Sequence, residues 1–264
     1  MTDVLKRNNV KRFGQGQQAI VFSHGYGCDQ NMWRFVAPAF ENDYQVVLFD
    51  HVGSGQSDQS QYDYQKYGSL EGYAEDVIDL LEELQLKEVI FVAHSVSSMI
   101  GALAAAERPD LFEKLIMIGP SPCYINDEAY FGGFSKSDID ELVQTLENNY
   151  MGWSSFITPV IVGNPEQPQL SEELNSSFCS MDPDIAKHFA RVTFLGDNRE
   201  DLKNVLVPTL VVQTHPDAIA PLEVGRYVEK NLPKGELIQL DASGHCPHLT
   251  APELTIEAIK NYLG

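Results

Sequence analysis

The stretch from residue 89 to residue 107 constrains the fold more than any other part of this 264-residue chain. It begins with a run of branched and aromatic residues typical of a buried strand, turns at Ser95, and continues as a helical pattern over Ser98–Glu107. A serine on so tight a strand-to-helix turn is forced outward, with its hydroxyl at the N-terminus of the following helix. There the helix dipole and free backbone N–H groups favour developing negative charge. Ser95 is therefore a candidate nucleophile.

The motif around Ser95 also has a second interpretation, because serine is a favoured N-cap residue of helices. The usual nucleophile motif is Gly-x-Ser-x-Gly, whereas Ala93 and Ser97 replace the two glycines here. Both replacements are small enough for a tight turn, and we expect them to affect its fine geometry. The motif by itself leaves the nucleophile and the N-cap interpretations open.

A nucleophilic serine needs a base and an orienting carboxylate, which in such folds follow it in the order acid, then histidine. A strand pattern over Leu206–Gln213 leads into Asp217, and a short alternating pattern over Glu236–Leu240 leads into His245. The carboxyl ends of parallel strands meet at one edge of an open sheet, where ligand sites lie. The order Ser95, Asp217, His245 therefore predicts a catalytic triad.

Other histidines and acids compete for these roles. His248 lies just downstream of His245, but the glycine before His245 favours the latter, because glycine gives the loop freedom to present the ring. His51 lies in a segment unrelated to these motifs. Asp241 rivals Asp217 as the acid, yet it is too close in sequence to His245 to reach behind the ring. A surface position is the alternative for both aspartates, since the chain has 38 acidic residues.

A glycine-rich turn follows another strand pattern near the N-terminus. Its sequence, His24-Gly25-Tyr26-Gly27, is able to supply a backbone N–H group to an oxyanion, because glycines let the backbone approach the reacting oxygen closely. We expect the N–H groups of Tyr26 and Val96 to form an oxyanion hole. Alone, the turn has an ordinary structural interpretation, and the serine motif downstream favours the functional one.

Strand and helix patterns alternate along the chain, which predicts a mostly parallel sheet with helices on both faces. The alternation stops between residues 120 and 195, where helical patterns cover Ser137–Asn148, Ser171–Ser177 and Asp184–Phe194. We therefore divide the chain into a core, residues 1–119 and 196–264, and an inserted helical segment, residues 120–195. Aromatic residues of this segment are candidates for lining a substrate pocket, although core packing is their more frequent role. The candidates are Phe134, Trp153, Phe156, Phe178 and Phe194.

The composition disfavours several classes of partner. A formal net charge of −20 disfavours nucleic acid and anionic membranes, which bind basic surfaces, and it favours a neutral substrate over an anionic one. No apolar run is long enough to span a bilayer, and the N-terminus lacks the apolar core of a signal peptide. We accordingly expect a cytoplasmic protein whose four cysteines are reduced. No Cys/His spacing indicates zinc, so we expect no metal and no cofactor.

The chain also carries longer motifs at His24–Gln30 with Trp33, at Leu48–Asp58, at Gly119–Tyr124 and at Gly244–His248. With these motifs it resembles the α/β-hydrolase fold family over essentially its whole length. Within that family it is similar to the group that contains RsbQ, a bacterial stress-response hydrolase, and the plant karrikin and strigolactone receptors.

The resemblance implies an α/β-hydrolase fold with a mostly parallel eight-stranded sheet, flanking helices and a four-helix lid. It implies a serine esterase or lactonase that acts through an acyl-enzyme on a small, hydrophobic, neutral substrate. It also implies a role in the stress response through sigma-B regulation, with a phosphatase of the RsbP type as partner. The alternative is a signalling or ligand-receptor protein whose main role is partner binding and not turnover.

Overall fold

The computed structural model describes residues 3–264, and a single sheet runs through its centre. The strands are β1 Lys11–Phe13, β2 Ala19–Ser23, β3 Gln45–Leu48, β4 Val89–His94, β5 Phe112–Ile118, β6 Thr209–Gln213 and β7 Gly235–Gln239. Their order across the sheet is β1-β3-β2-β4-β5-β6-β7. Only β1 pairs antiparallel among these strands, and the remaining neighbours are parallel. The mostly parallel sheet is confirmed.

The predicted number of eight strands is wrong for residues 3–264, in which the sheet has seven. The segment before β1 is the short helix α1, Val4–Arg7, instead of a further strand. The Asp3 side chain caps this helix by accepting a hydrogen bond from the Lys6 N–H. Because the segment makes its hydrogen bonds within this helical turn, it does not pair with the sheet, which ends at β1.

Helices cover both faces of the sheet. After α1 they are α2 Leu70–Glu83, α3 Val96–Glu107, α4 Lys136–Asn148, α5 Tyr150–Val162, α6 Pro168–Ser180, α7 Pro183–Leu195, α8 Leu222–Asn231, α9 Pro247–Thr250 and α10 Pro252–Leu263. Short 3-10 helices span Gln30–Trp33, Ala37–Phe40, Gln59–Gln61, Lys66–Gly68, Pro109–Leu111 and Arg199–Asn204. In the described part of the chain, no helix has both the length and the apolar character that crossing a membrane requires.

Alternate side chains of the central strands pack on opposite faces of the sheet, as the pleat requires. In β4, Phe91 belongs to the cluster that includes the buried faces of α2 and α3. Ile90 and Val92 pack on the other side with Trp33 and with Ile259 of α10. All of β4 is buried, which explains why its sequence is a continuous apolar run without polar alternation.

Four helices, α4 to α7, lie between β5 and β6, in the region where the alternation of patterns stops. Three of them coincide with the helical patterns of the sequence. The fourth, α5, is apolar on most of its sides and contains Pro159, so it lacks the periodic polar face by which a helix is detected.

Candidate active site

Ser95 lies between the end of β4 and the start of α3, at the carboxyl edge of the sheet. Its backbone has φ 57° and ψ −125°, a conformation that non-glycine residues rarely adopt. The Ser95 N–H donates to the Ile118 carbonyl of β5 over 2.8 Å, so the sheet holds this strained turn in place. Ser95 occupies the N-cap position of α3, but its side chain makes no capping hydrogen bond there, so capping does not account for this serine.

His245 and Asp217 approach Ser95 from the loops after β7 and β6. His245 Nε2 lies 2.8 Å from Ser95 Oγ, and His245 Nδ1 lies 2.7 Å from Asp217 Oδ2. The second carboxylate oxygen, Asp217 Oδ1, accepts from the N–H groups of Ile219 and Ala220 at 2.8 and 3.1 Å. The three side chains are buried, with Ser95 the most exposed at 6%. The structure thus joins the three residues of the predicted triad in one chain of hydrogen bonds.

Backbone contacts fix the loop that carries His245. Its N–H donates to the Ile161 carbonyl near the end of α5, with an N···O distance of 2.8 Å. Gly244 has φ 84°, and a Cβ at this position would overlap the carbonyl oxygen of Val162. A glycine is therefore required here for close approach and for the left-handed backbone. The sequence interpretation assigned this glycine to loop flexibility. In the structure its role is different, because the loop presents the imidazole from a fixed backbone.

The competing residues lie elsewhere. His248 packs between Trp33 and His94, with ring centroids 4.8 and 4.3 Å away, and neither of its ring nitrogens has a hydrogen-bond partner within residues 3–264. Asp241 is exposed at the surface. The assignment of His51 to an unrelated segment is wrong, because its Nε2 lies 2.8 Å from the hydroxyl of Ser97, two residues after Ser95.

The two expected oxyanion donors lie on either side of this turn. Val96 is the first residue of α3, so its N–H has no acceptor within the helix. A Cβ on Gly25, next to Tyr26, would lie 2.6 Å from His94 Nδ1 and 3.2 Å from Ser95 Cβ. Glycine at this position therefore lets the loop after β2 pack directly against the serine turn. Across residues 3–264, neither the Tyr26 nor the Val96 N–H donates to another backbone group.

Ser95 and His245 border a small apolar cavity. The volume of this cavity that is open to the centre of a water molecule is about 40 Å³. Nearly all of the accessible wall is apolar. Besides the two triad residues, the wall includes Tyr26, Tyr124, Phe134, Ile157, Phe178 and Phe194.

Two of the predicted pocket residues do not line this cavity, whereas Phe134, Phe178 and Phe194 do. Phe156 was wrongly placed, because it lies on the outer side of α5 and is 73% exposed. Trp153 was also wrongly placed. It is buried, but it stacks on Phe178 with ring centroids 5.8 Å apart, behind the cavity wall. Both residues lie on α5. The sequence of this helix has no periodic polar pattern, so it does not predict which of its side chains face the cavity.

Among the cavity residues that the sequence analysis did not name as candidates, three carry a phenol or thiol group. The Tyr124 ring belongs to the wall, and burial raises the pKa of its phenol. Cys28 and Cys246 also line the cavity, and burial raises the pKa of both thiols. At neutral pH all three groups are therefore uncharged. The only sequence signal for them is their place inside the longer motifs, which indicates no role.

A cluster of His94, Cys246 and His248 is the candidate metal centre of the described residues. One potential ligand atom from each lies within 4.8 Å of the others, and all three residues are buried. The ring of His94 is already engaged, because its Nε2 hydrogen-bonds with the His245 carbonyl over 2.8 Å. Metals bind the thiolate form of cysteine, and burial keeps Cys246 in the thiol form by raising its pKa. That no metal binds stays a prediction.

Four buried histidines around the site make the fold sensitive to acid. Burial lowers the pKa of His24, His51 and His94, and it lowers the pKa of His248 to about 3. In the unfolded chain a histidine titrates near its reference pKa of about 6.5, so the unfolded state binds more protons below that pH. The contribution of each is complete above about pH 6.5 and is lost as the pH falls towards its lowered folded-state pKa, which for His248 is about 3. We expect the free energy of unfolding, from urea titrations, to fall by up to about 1.4 kcal/mol per pH unit for each histidine.

A single variant isolates one of these groups. His248→Phe keeps a ring between Trp33 and His94 but removes the titrating nitrogens. We expect its free energy of unfolding to depend less steeply on pH between 6.5 and 4, by about 1.4 kcal/mol per unit. An unaltered slope in His248→Phe would contradict the assignment.

The sheet, the sharp serine turn and the Ser95–His245–Asp217 hydrogen bonds are together the features of a hydrolase fold. A family model described as alpha/beta hydrolase fold matches residues 18–252. The chain belongs to the α/β-hydrolase fold family.

The chain is similar along nearly its whole length to plant and bacterial proteins of this family. A karrikin insensitive 2 receptor of Petunia hybrida is 39% identical, covering 100% of this chain and 96% of its own. A strigolactone esterase of Arabidopsis thaliana is 35% identical, covering 99% and 98%. The solved structure of a hydrolase from Oleispira antarctica matches with a TM-score of 0.96 at 41% identity, covering 98% and 96%. The likeness to karrikin and strigolactone receptors is confirmed, and the likeness to RsbQ stays a prediction.

Proposed function

We propose that this protein is a serine hydrolase of a small, neutral ester or lactone. The observation that carries the proposal is the chain of hydrogen bonds from Ser95 through His245 to Asp217, with distances of 2.8 and 2.7 Å, at the wall of an apolar cavity. A hydroxyl bonded to an imidazole, which is in turn bonded to a buried carboxylate, is the arrangement that activates a serine for attack on a carbonyl.

The reaction proceeds in two halves. Ser95 Oγ attacks the carbonyl carbon while His245 Nε2 takes its proton, and Asp217 stabilises the resulting imidazolium. The N–H groups of Tyr26 and Val96 donate to the oxyanion. His245 then returns the proton to the leaving alcohol, which departs as the acyl–oxygen bond breaks. In a lactone this alcohol stays attached to the acyl group. Water, deprotonated by His245, releases the acid and restores the Ser95 hydroxyl.

The cavity and the charge of the chain support a small, uncharged substrate. The wall offers few polar groups beyond the triad, and a carboxylate buried there would have no cation to pair with. A net charge of −20 also repels anions during encounter. We propose that residues 120–195 act as a lid, because cavity residues Phe134, Phe178 and Phe194 belong to this segment. Opening of the lid would then control entry and release.

A covalent trap tests the proposal most directly. The protein is incubated with a serine-directed fluorophosphonate, digested, and the modified peptide is identified by mass spectrometry. We expect one equivalent of label on Ser95 and none after Asp217→Asn under the same conditions, because the serine is then not activated. Labelling at another serine, or none in the wild type, would refute the proposal.

The size of the cavity predicts a preference for short acyl groups. Along a series of p-nitrophenyl esters from acetate to palmitate, we expect kcat/KM to fall by at least about tenfold between butyrate and octanoate, because added methylenes have no space beneath the lid. Phe134→Ala removes a ring from the wall and should move the optimum towards longer chains.

Phe156→Ala is the matched control for this series. It removes the same ring from the same inserted segment, but at a position that is 73% exposed and outside the cavity wall. Its chain-length profile should equal that of the wild type. A wild-type preference for palmitate would indicate an open, lipase-like cleft and would contradict the small-substrate proposal.

A regulatory role is the second candidate, and the names of the relatives favour it. Several proteins that are 35–39% identical to this chain are named as karrikin insensitive 2 receptors or strigolactone esterases. In this alternative the triad serves a signalling step, which extends to stress signalling with a phosphatase of the RsbP type if the RsbQ-like assignment holds. Titration of such a phosphatase with the wild type and with folded Ser95→Ala tests it. Loss of binding in Ser95→Ala supports coupled signalling, and absence of binding in both refutes it.

A further inference from the structure

Ser97 stands where the usual serine motif has glycine, and its hydroxyl lies in a buried hydrogen-bond network. Ser97 Oγ donates to the His24 carbonyl, with an O···O distance of 2.5 Å. Ser23 Oγ donates to Ser97 Oγ over 3.0 Å, and His51 Nε2 lies 2.8 Å from the same oxygen. Ser23 and Ser97 are fully buried. A glycine at position 97 would leave the network without its central member.

The proton positions in this network follow from the donors and acceptors available. A carbonyl only accepts, so the single Ser97 proton goes to His24 O, and the Ser97 oxygen must accept from its other neighbours. His51 Nε2 therefore carries a proton. The opposite ring nitrogen, His51 Nδ1, has no hydrogen-bond partner among residues 3–264, which agrees with a neutral ring protonated on Nε2. Burial lowers the pKa of His51 and keeps the ring neutral.

Ser97 connects the two segments that carry the expected oxyanion donors. The ladder between β2 and β4 ends at the pair Ser23 and Ala93, so the next carbonyl, that of His24, has no further partner from β4. The Ser97 hydroxyl supplies that partner from the first turn of α3. Ser97 follows Val96 directly, and His24 precedes Tyr26 by two residues. This side-chain hydrogen bond therefore links the two segments that carry the expected N–H donors.

We propose that Ser97 is a positioning residue of the oxyanion hole, which holds the loop after β2 at a fixed distance from the serine turn through the His24 carbonyl. This rests on the proposed hydrolase function. Oxyanion stabilisation depends on donors that are already in place when charge develops. Removal of the Ser97 hydroxyl leaves both N–H donors present but removes one contact that holds the loop after β2 against the serine turn. Its effect should therefore be on the transition state and not on the binding of neutral ligand.

The test compares Ser97→Ala with Ser23→Ala. Both remove one hydroxyl from the same buried network, but only Ser97→Ala breaks the bond to the His24 carbonyl. We expect kcat/KM for p-nitrophenyl acetate to fall about tenfold in Ser97→Ala, less than the 10²–10³-fold typical of a lost donor. Affinity for phenylboronic acid, which forms a charged tetrahedral adduct on the nucleophile, should fall by a similar factor. Inhibition by neutral anisole should not change. Ser23→Ala should keep wild-type values for all three.

Thermal unfolding separates this role from a purely structural one. If the two variants lose comparable stability but only Ser97→Ala loses affinity for the boronic acid, the positioning role is supported. If their kinetics change equally, or if Ser97→Ala weakens anisole as much as the boronic acid, the inference is wrong. The proposed hydrolase function is tested separately by the wild type. An inactive wild type without fluorophosphonate labelling refutes that function, whatever Ser97→Ala does.

Discussion

Ser95→Ala is expected to lower the hydrolysis of p-nitrophenyl acetate by about 10⁴-fold or more, to the level left by binding and oxyanion contacts alone. The reason is that, among residues 3–264, Ser95 carries the only hydroxyl bonded to His245 Nε2, over 2.8 Å. Without this oxygen no acyl-enzyme forms. Steady-state release of p-nitrophenol and the absence of a pre-steady-state burst are the measurements.

Ser98→Ala is the matched control for this variant. Ser98 is a buried serine in the same turn region, but its hydroxyl donates to the Ala93 carbonyl over 3.3 Å and not to the imidazole. It should retain most of the wild-type rate. If Ser95→Ala, folded as judged by circular dichroism, hydrolyses the ester as fast as the wild type, the nucleophile is another residue.

Asp217→Asn should fold and yet lose about 10⁴-fold in kcat, as happens for the equivalent change in a triad protease. The hydrogen bonds of Asp217 explain why. Its Oδ1 accepts from the N–H groups of Ile219 and Ala220, so the oxygen of an asparagine would take that side. The amide NH₂ would then face His245 Nδ1, which must accept, and the ring proton would move to Nε2. A protonated Nε2 in a neutral ring is unable to take the proton of Ser95.

Asp241→Asn provides the comparison, because Asp241 precedes the same histidine in the chain but is exposed. Its kcat for p-nitrophenyl acetate should stay close to that of the wild type. If Asp241→Asn is the inactive variant and Asp217→Asn is active, the acid has been assigned to the wrong residue. Thermal unfolding of both variants shows whether a loss of rate reflects a loss of fold.

The hydrogen-bonded arrangement of Ser95, His245 and Asp217 is predictable from sequence because each of the three residues has a local signal. Ser95, Asp217 and His245 each follow a strand pattern directly, and parallel strands bring such positions to one edge of a sheet. The order of the three residues along the chain then selects among the competing acids and histidines. The mostly parallel sheet is predictable for the same reason, since its buried strands are continuous apolar runs.

Other features depend on contacts between distant segments and carry no local signal. Trp153 and Phe156 look equivalent in sequence, and only the packing of α5 places one behind the cavity wall and the other in solvent. His51 looks unrelated to the serine motif, yet from the loop after β3 it contacts the hydroxyl of Ser97. The prediction of an eighth strand is wrong for a different reason. Whether a short segment pairs with a sheet or forms a helical turn depends on the hydrogen bonds at its end. The Asp3 side chain caps the helical turn and so favours the helix.

Ser95, Asp217 and His245 are far apart in the chain. An activity that needs all three residues therefore appears only at the stage of folding that brings them together. Ser95 and His245 are 150 residues apart, whereas His245 and Asp217 are 28 apart. The closure of so long a loop costs entropy, which only the packing of β6 and β7 beside β5 repays. Neither the N-terminal strands nor the α4–α7 segment contains all three members. Recovery of turnover after dilution from urea should therefore report completion of the whole sheet, later than the recovery of helical circular dichroism.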